Sequence, residues 1–109
     1  MNIPNVPTNQ LVYIDGFPVI PLIALMLLKL QAWEDHRNSS KSWEIPKQWV
    51  DAGDLGGLLP IAARRGDSLK KESWIPQNFS TAAKKRLTRY LERNSSQKSG
   101  WLKVGLSPA

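Results

Sequence analysis

The segment Leu22 to Arg37, LIALMLLKLQAWEDHR, constrains the fold more than any other part of the chain. Its residues are strong helix formers, free of glycine and, beyond Ile23, of β-branched side chains, and Pro21 ahead of them suits a first helical turn. The pattern predicts a helix over residues 22–37. Its first half is apolar on every side, which requires other elements to cover it, and its polar end emerges into solvent near Asp35. The apolar run from Phe17 to Leu28 spans 12 residues before Lys29 interrupts it, against the roughly 20 that cross a bilayer, so a membrane is not expected as a partner. No Lys or Arg precedes Lys29, and Asp15 stands where a signal peptide would be positive. Cytoplasm or nucleus is the expected compartment.

A buried helix needs partners, and two further helices are predicted to supply them. Residues 47–65 place Leu55, Leu58, Leu59 and Ala62 on one stripe, with a bend or break expected at Pro60 and an end at Arg64-Arg65-Gly66-Asp67. Ser80 is the expected N-cap of a helix over residues 81–94, with Ala83, Leu87, Tyr90 and Leu91 on one face. Residues 38–46 and the stretch up to Asn78 read as connections, and Asn94 to Gly100 as a Ser-rich breaker. Trp101 to Leu106 is expected to dock on the core as a strand or extended tail. At the other end, residues 1–10 read as an irregular arm. Leu11–Ile14, the turn pair Asp15-Gly16 and Phe17–Ile20 spell a short hairpin whose second arm Pro18 confines to an edge. The expected fold is mainly α (α+β), a short N-terminal β-hairpin followed by three or four packed helices, forming one domain over residues 11–106. A chain of 109 residues buries about 65% of its unfolded surface, enough for one modest core. The absence of Cys excludes a disulfide framework and thiolate metal sites, and the lone His36 has no metal partners grouped around it in sequence.

Lys29 is the most informative single residue, because it interrupts an apolar helix on the side that carries Leu22, Leu25, Met26, Ala32, Trp33 and His36. Its ammonium either snorkels to the surface or points into a cleft where an anion or carboxylate meets it. Asp51 and Asp54 share a side near the start of the second helix, where they either cap free N–H groups or fix Lys29 or a bound cation. His36 and Arg37 suit the negative end of the first helix. The net charge of +6 favours an anionic partner, and Lys84, Lys85, Arg86, Arg89 and Arg93 make one side of the third helix either a solvated face or a phosphate-backbone contact. The five tryptophans, Trp33, Trp43, Trp49, Trp74 and Trp101, read as core and interface packing rather than base stacking. No Gly-rich phosphate loop and no Ser-His-Asp set is present.

The succession LVYIDGFPVIP, LLKLQAWEDHR and VDAGDLGGLL resembles the C-terminal region of the nucleotidyltransferase superfamily, particularly AbiEii toxin-like members, and is similar to related fungal proteins. In that family one helix carries Lys, Ala three residues later and an Arg about two turns on, and the next opens with Lys-Asp-x-x-Asp-Leu. Lys29 and Ala32 match the first pattern; Asp51, Asp54 and Leu55 match the second. Where the family has its Arg this chain has His36 beside Arg37, and Val50 replaces the second motif's Lys. Over residues 11–65 the resemblance implies that Lys29, with Arg37, faces a nucleoside triphosphate and that Asp51 or Asp54 orients it or the helix packing. The family's metal-holding Gly-Ser turn and Asp-x-Asp pair are missing from residues 1–20. The resemblance therefore implies a non-catalytic or truncated nucleotidyltransferase-like domain that retains nucleotide binding, with Mg entering only if a catalytic half is supplied elsewhere. The competing expectations are a basic nucleic-acid-binding module using the third helix and a protein-interaction module pairing through the hairpin edge.

Overall fold

The uninterrupted helix formers after Pro21 become α1 (Leu22–Arg37), with the bounds expected. The structure, a computed structural model, describes the backbone of residues 12–14, 17–19 and 21–109 and the side chains of 21–109. Ile23, Ala24, Met26, Leu27, Leu30 and Trp33 are each at most 3% exposed, so α1 is covered on most of its circumference. The second helix, α2 (Lys47–Arg65), buries Leu55, Leu59 and Ala62 and half-buries Leu58. Pro60 lies inside it without breaking it. Pro60 is exposed, and Gly56, whose carbonyl loses its usual donor to the proline, shares an open hollow with it. The helix ends at Gly66 in the left-handed region (φ 74°), where the Asp67 and Gly66 N–H groups close back onto the carbonyls of Ala62 and Ala63.

The third helix, α3, spans Gln77–Leu91 and starts four residues ahead of the expected position. Pro76 fixes its entry, and its carbonyl takes the N–H groups of Phe79 and Ser80. Phe79 is buried in the first turn. Ser80 is not the cap: its hydroxyl donates to the Gln77 carbonyl at 3.0 Å. The chain then turns through Ser95–Gln97 into α4 (Lys98–Lys103), which replaces the expected strand or extended tail. Docking holds while its conformation differs, since Trp101, Val104 and Leu106 are each buried. Gly105 (φ 85°) ends α4, and the Leu106 N–H reaches the Trp101 carbonyl at 3.1 Å.

Helix α1 packs against α2 and α3, and α4 lies against α2. Their seam holds three aromatic rings edge to face, Trp33 on Tyr90 at 5.0 Å and Tyr90 on Trp101 at 6.3 Å between centroids. Such pairs add about 0.5–1.5 kcal/mol each beyond the area they bury. Close approach of α4 to α2 depends on Gly100, where an added Cβ would sit 3.3 Å from the Leu59 side chain.

The α+β class is corrected to mainly α. The packed region from residue 21 onward is helical, with no strand in it. Ahead of it the backbone pairs only Val12–Ile14 with Phe17–Val19, arms too short and, with Pro18 inside the second, too poor in donors to form a layer of the fold. The hairpin is therefore not a structural component of the domain. Its turn residues Asp15 and Gly16, its end residues Leu11 and Ile20 and the arm over residues 1–10 lie outside the described residues. Among the described residues no helix is long and apolar enough to cross a membrane.

Candidate functional site

Lys29 and His36 stand seven residues apart on α1, two turns and about 10.5 Å along the axis, and so leave the same face. Asp51 and Asp54, at i and i+3, leave one side of α2. The nine-residue connection 38–46 turns the chain so that Lys29 meets Asp54 while His36 meets Asp51. Later residues of α1 thus face earlier residues of α2, and the helices run antiparallel. Lys29 Nζ donates to Asp54 Oδ2 at 2.8 Å and lies 3.6 Å from Asp51 Oδ1. His36 Nδ1 lies 2.6 Å from the other Asp51 oxygen, Oδ2. A carboxylate only accepts, so the imidazole hydrogen sits on Nδ1, and in the neutral ring Nε2 keeps the lone pair.

The two acids do different work. The side chains of Lys29 and Asp54 are 32% and 44% exposed, and an exposed pair of this kind contributes at most about 1 kcal/mol. Asp51 is buried, with cationic or N–H partners on both oxygens. Removing Asp51 itself, which leaves both partners without it, costs about 3 kcal/mol. The Lys29 pKa is raised above its ordinary value, first by the hydrogen bond to Asp54 and further by the charges of Asp54 and Asp51, with burial opposing. Lys29 therefore neither floats free in water nor waits unpaired in a cleft; carboxylates meet it. Neither acid caps α2, whose N-terminus has no side-chain cap.

Arg37 is not part of this cluster. Its guanidinium sits over the Trp33 ring, 5.3 Å from the centroid, at the C-terminal end of α1. The expected basic face of α3 divides in two. Arg86 and Arg89 both turn to Glu34 on α1, at 3.7 Å and 2.5 Å, and the Glu34 bond raises the Arg89 pKa. Lys84, Lys85 and Arg93 remain exposed, with no acid within ion-pair distance among the described residues. The tryptophans divide as well: Trp33 and Trp101 are core, Trp74 is half-buried, and Trp43 and Trp49 are 66% and 67% exposed.

In the sequence His36 reads only as a helix-dipole residue and Glu34 has no role. The signal for His36 was its seven-residue spacing from Lys29, which puts both on the face that needs carboxylates. Glu34 carried no such signal, because its partner Arg89 is 55 positions away. Among the described residues no group of three or more His, Cys, Asp or Glu side chains gathers as a metal ion would require. No protein-family model, curated protein or solved structure matches the chain.

Proposed function

We propose that the chain is a non-catalytic, nucleotidyltransferase-like helical domain that holds a nucleoside triphosphate at Lys29. The observation that supports this is the meeting of the two motif halves: Lys29 and Asp54, 25 positions apart, share a 2.8 Å hydrogen bond beside Asp51. Phosphate oxygens compete with Asp54 for the ammonium. Because that pair is exposed and weak, the exchange costs about 1 kcal/mol or less. Asp51 stays fixed by His36, so α1 and α2 keep their register while Lys29 changes partner. Lys29, Asp51 and Asp54 set two carboxylates against one ammonium, which opposes an anion. Asp54 is therefore both competitor and repulsive neighbour.

No residue is assigned a catalytic role. The sequence contains no Gly-Ser turn followed by Asp-x-Asp, the pair that two-metal nucleotidyl transfer needs to hold its cations, so Mg enters only if a catalytic half is supplied elsewhere. Titration calorimetry with ATP tests the binding. Lys29→Ala weakens it at least tenfold and Lys85→Ala leaves it unchanged; equal losses would reduce the interaction to general attraction by a basic surface.

A further inference from the structure

We propose that the hollow where the start of α2 faces the end of α3 is a stacking site for one nucleotide unit of a single-stranded nucleic acid. Trp33, Gln48, Trp49, Ala52, Arg93 and Asn94 line it, and its volume is about 230 Å³. That is smaller than the roughly 300–1,000 Å³ that encloses a whole drug-sized ligand. The hollow takes one ring system and leaves the rest of the ligand outside.

Each part of such a unit has a partner in the lining. Trp49 offers an indole that is 67% exposed, a large apolar face with nothing folded over it. Stacking of a base on an exposed indole is tolerant of sequence because every base has a π-face. Arg93 is exposed and, unlike Arg86 and Arg89, makes no ion pair among the described residues, so its guanidinium is available to a phosphate. Gln48, 9% exposed as a whole residue, lines the hollow and makes no side-chain hydrogen bond within the described protein. Its amide offers both a donor and an acceptor, which match those of a base edge. Asn94 donates one amide N–H to the Tyr90 carbonyl at 3.2 Å, which leaves its second N–H and its Oδ1 for a ligand.

The single strand is favoured over the duplex because a base inside a helix cannot reach an indole at the rim of a hollow. The net charge of +6 favours a polyanion. Trp43, 66% exposed with the Lys41 ammonium 5.7 Å from its ring centroid, repeats the pairing of indole and cation a few residues ahead of α2. The site shares no residue with the Lys29 cluster and does not depend on it.

Fluorescence anisotropy of a labelled oligothymidylate of about ten nucleotides, titrated with the full chain at low salt, tests the proposal. Unlabelled dTMP and a duplex of equal length serve as competitors, and circular dichroism checks each variant's fold. The single strand binds, weakening steeply as salt rises, and the duplex competes at least tenfold less well. Trp49→Ala and Arg93→Gln each weaken binding about tenfold, while Lys84→Gln changes it no more than about twofold. Unchanged affinity in folded Trp49→Ala, or no binding at low salt, overturns the proposal. Competition by dTMP as strong per nucleotide as the strand's own overturns the strand in favour of a free nucleotide. Sedimentation that shows a dimer dissolved by Trp49→Ala overturns it in favour of a second copy of the chain.

Discussion

The carboxylate of Asp51 lies 2.6 Å from Nδ1 of His36, joining the first turns of α2 to the last turn of α1. Asp54, one turn further along α2, reaches only Lys29 and is largely in solvent. The two acids are predicted to differ sharply in their worth to the fold. Asp51→Ala strands a half-buried imidazole and a lysine, and is expected to cost about 3 kcal/mol. Asp54→Ala is expected to cost less than about 1 kcal/mol. Urea denaturation separates them, and equal losses would mean that Asp51 is not the pin between the helices.

Pro60 is expected to be a net cost to the domain. It occupies an exposed interior position of α2, removing one main-chain hydrogen bond and crowding the turn before it. Pro60→Ala restores the donor to the Gly56 carbonyl and is expected to raise stability by about 1–3 kcal/mol. The urea midpoint should rise with an unchanged slope. A lower midpoint would show that the turn at Pro60 is needed for α4 to dock.

Stability should fall in alkali. Burial, aided by the Asp51 charge and opposed by the Gln97 hydrogen bond, pushes the Tyr90 phenol from 10.0 up to about 12. The folded state keeps this proton where the unfolded chain loses it, so its contribution is complete below pH 10 and is lost as pH rises from about 10 to 12. At its steepest the loss is about 1.4 kcal/mol per pH unit. Lys29, whose pKa is also raised, acts in the same direction above its ordinary 10.5. Tyr90→Phe should be less stable at neutral pH, because the 2.7 Å bond to Gln97 is gone, yet flatter between pH 10 and 12. An identical alkaline slope in the variant would remove Tyr90 from the explanation.

How far the sequence speaks for the structure depends on the length of each signal. α1 and α2 carry long apolar stripes with unambiguous ends, Pro21 before one and Gly66 after the other, and their bounds follow directly. The start of α3 is hidden because Ser80 looks like a cap, while Pro76 and the buried Phe79 set the true beginning. α4 has too few residues for a period to emerge, and Trp101 and Leu106 suit a strand or a helix equally well. Near the N-terminus the strong turn pair Asp15-Gly16 spells a short hairpin, but three-residue arms, the second holding Pro18, add no β component to a helical domain. For the site, a lysine inside an apolar helix demands a partner, and the paired acids of α2 are visible candidates. The imidazole on Asp51 and the diversion of Arg86 and Arg89 to Glu34 are tertiary facts without a local pattern.

The competition between Asp54 and phosphate for Lys29 gives the sharpest test. Calorimetric titration of ATP into wild type, Lys29→Met and Asp54→Asn at one ionic strength should move affinity in opposite directions. Lys29→Met should weaken it at least tenfold, and Asp54→Asn should tighten it several-fold by freeing the ammonium and removing a like charge. If Asp54→Asn leaves the affinity unchanged or lowers it, or if Lys29→Met binds as wild type does, Lys29 serves only to hold α1 to α2 and the nucleotide assignment is wrong.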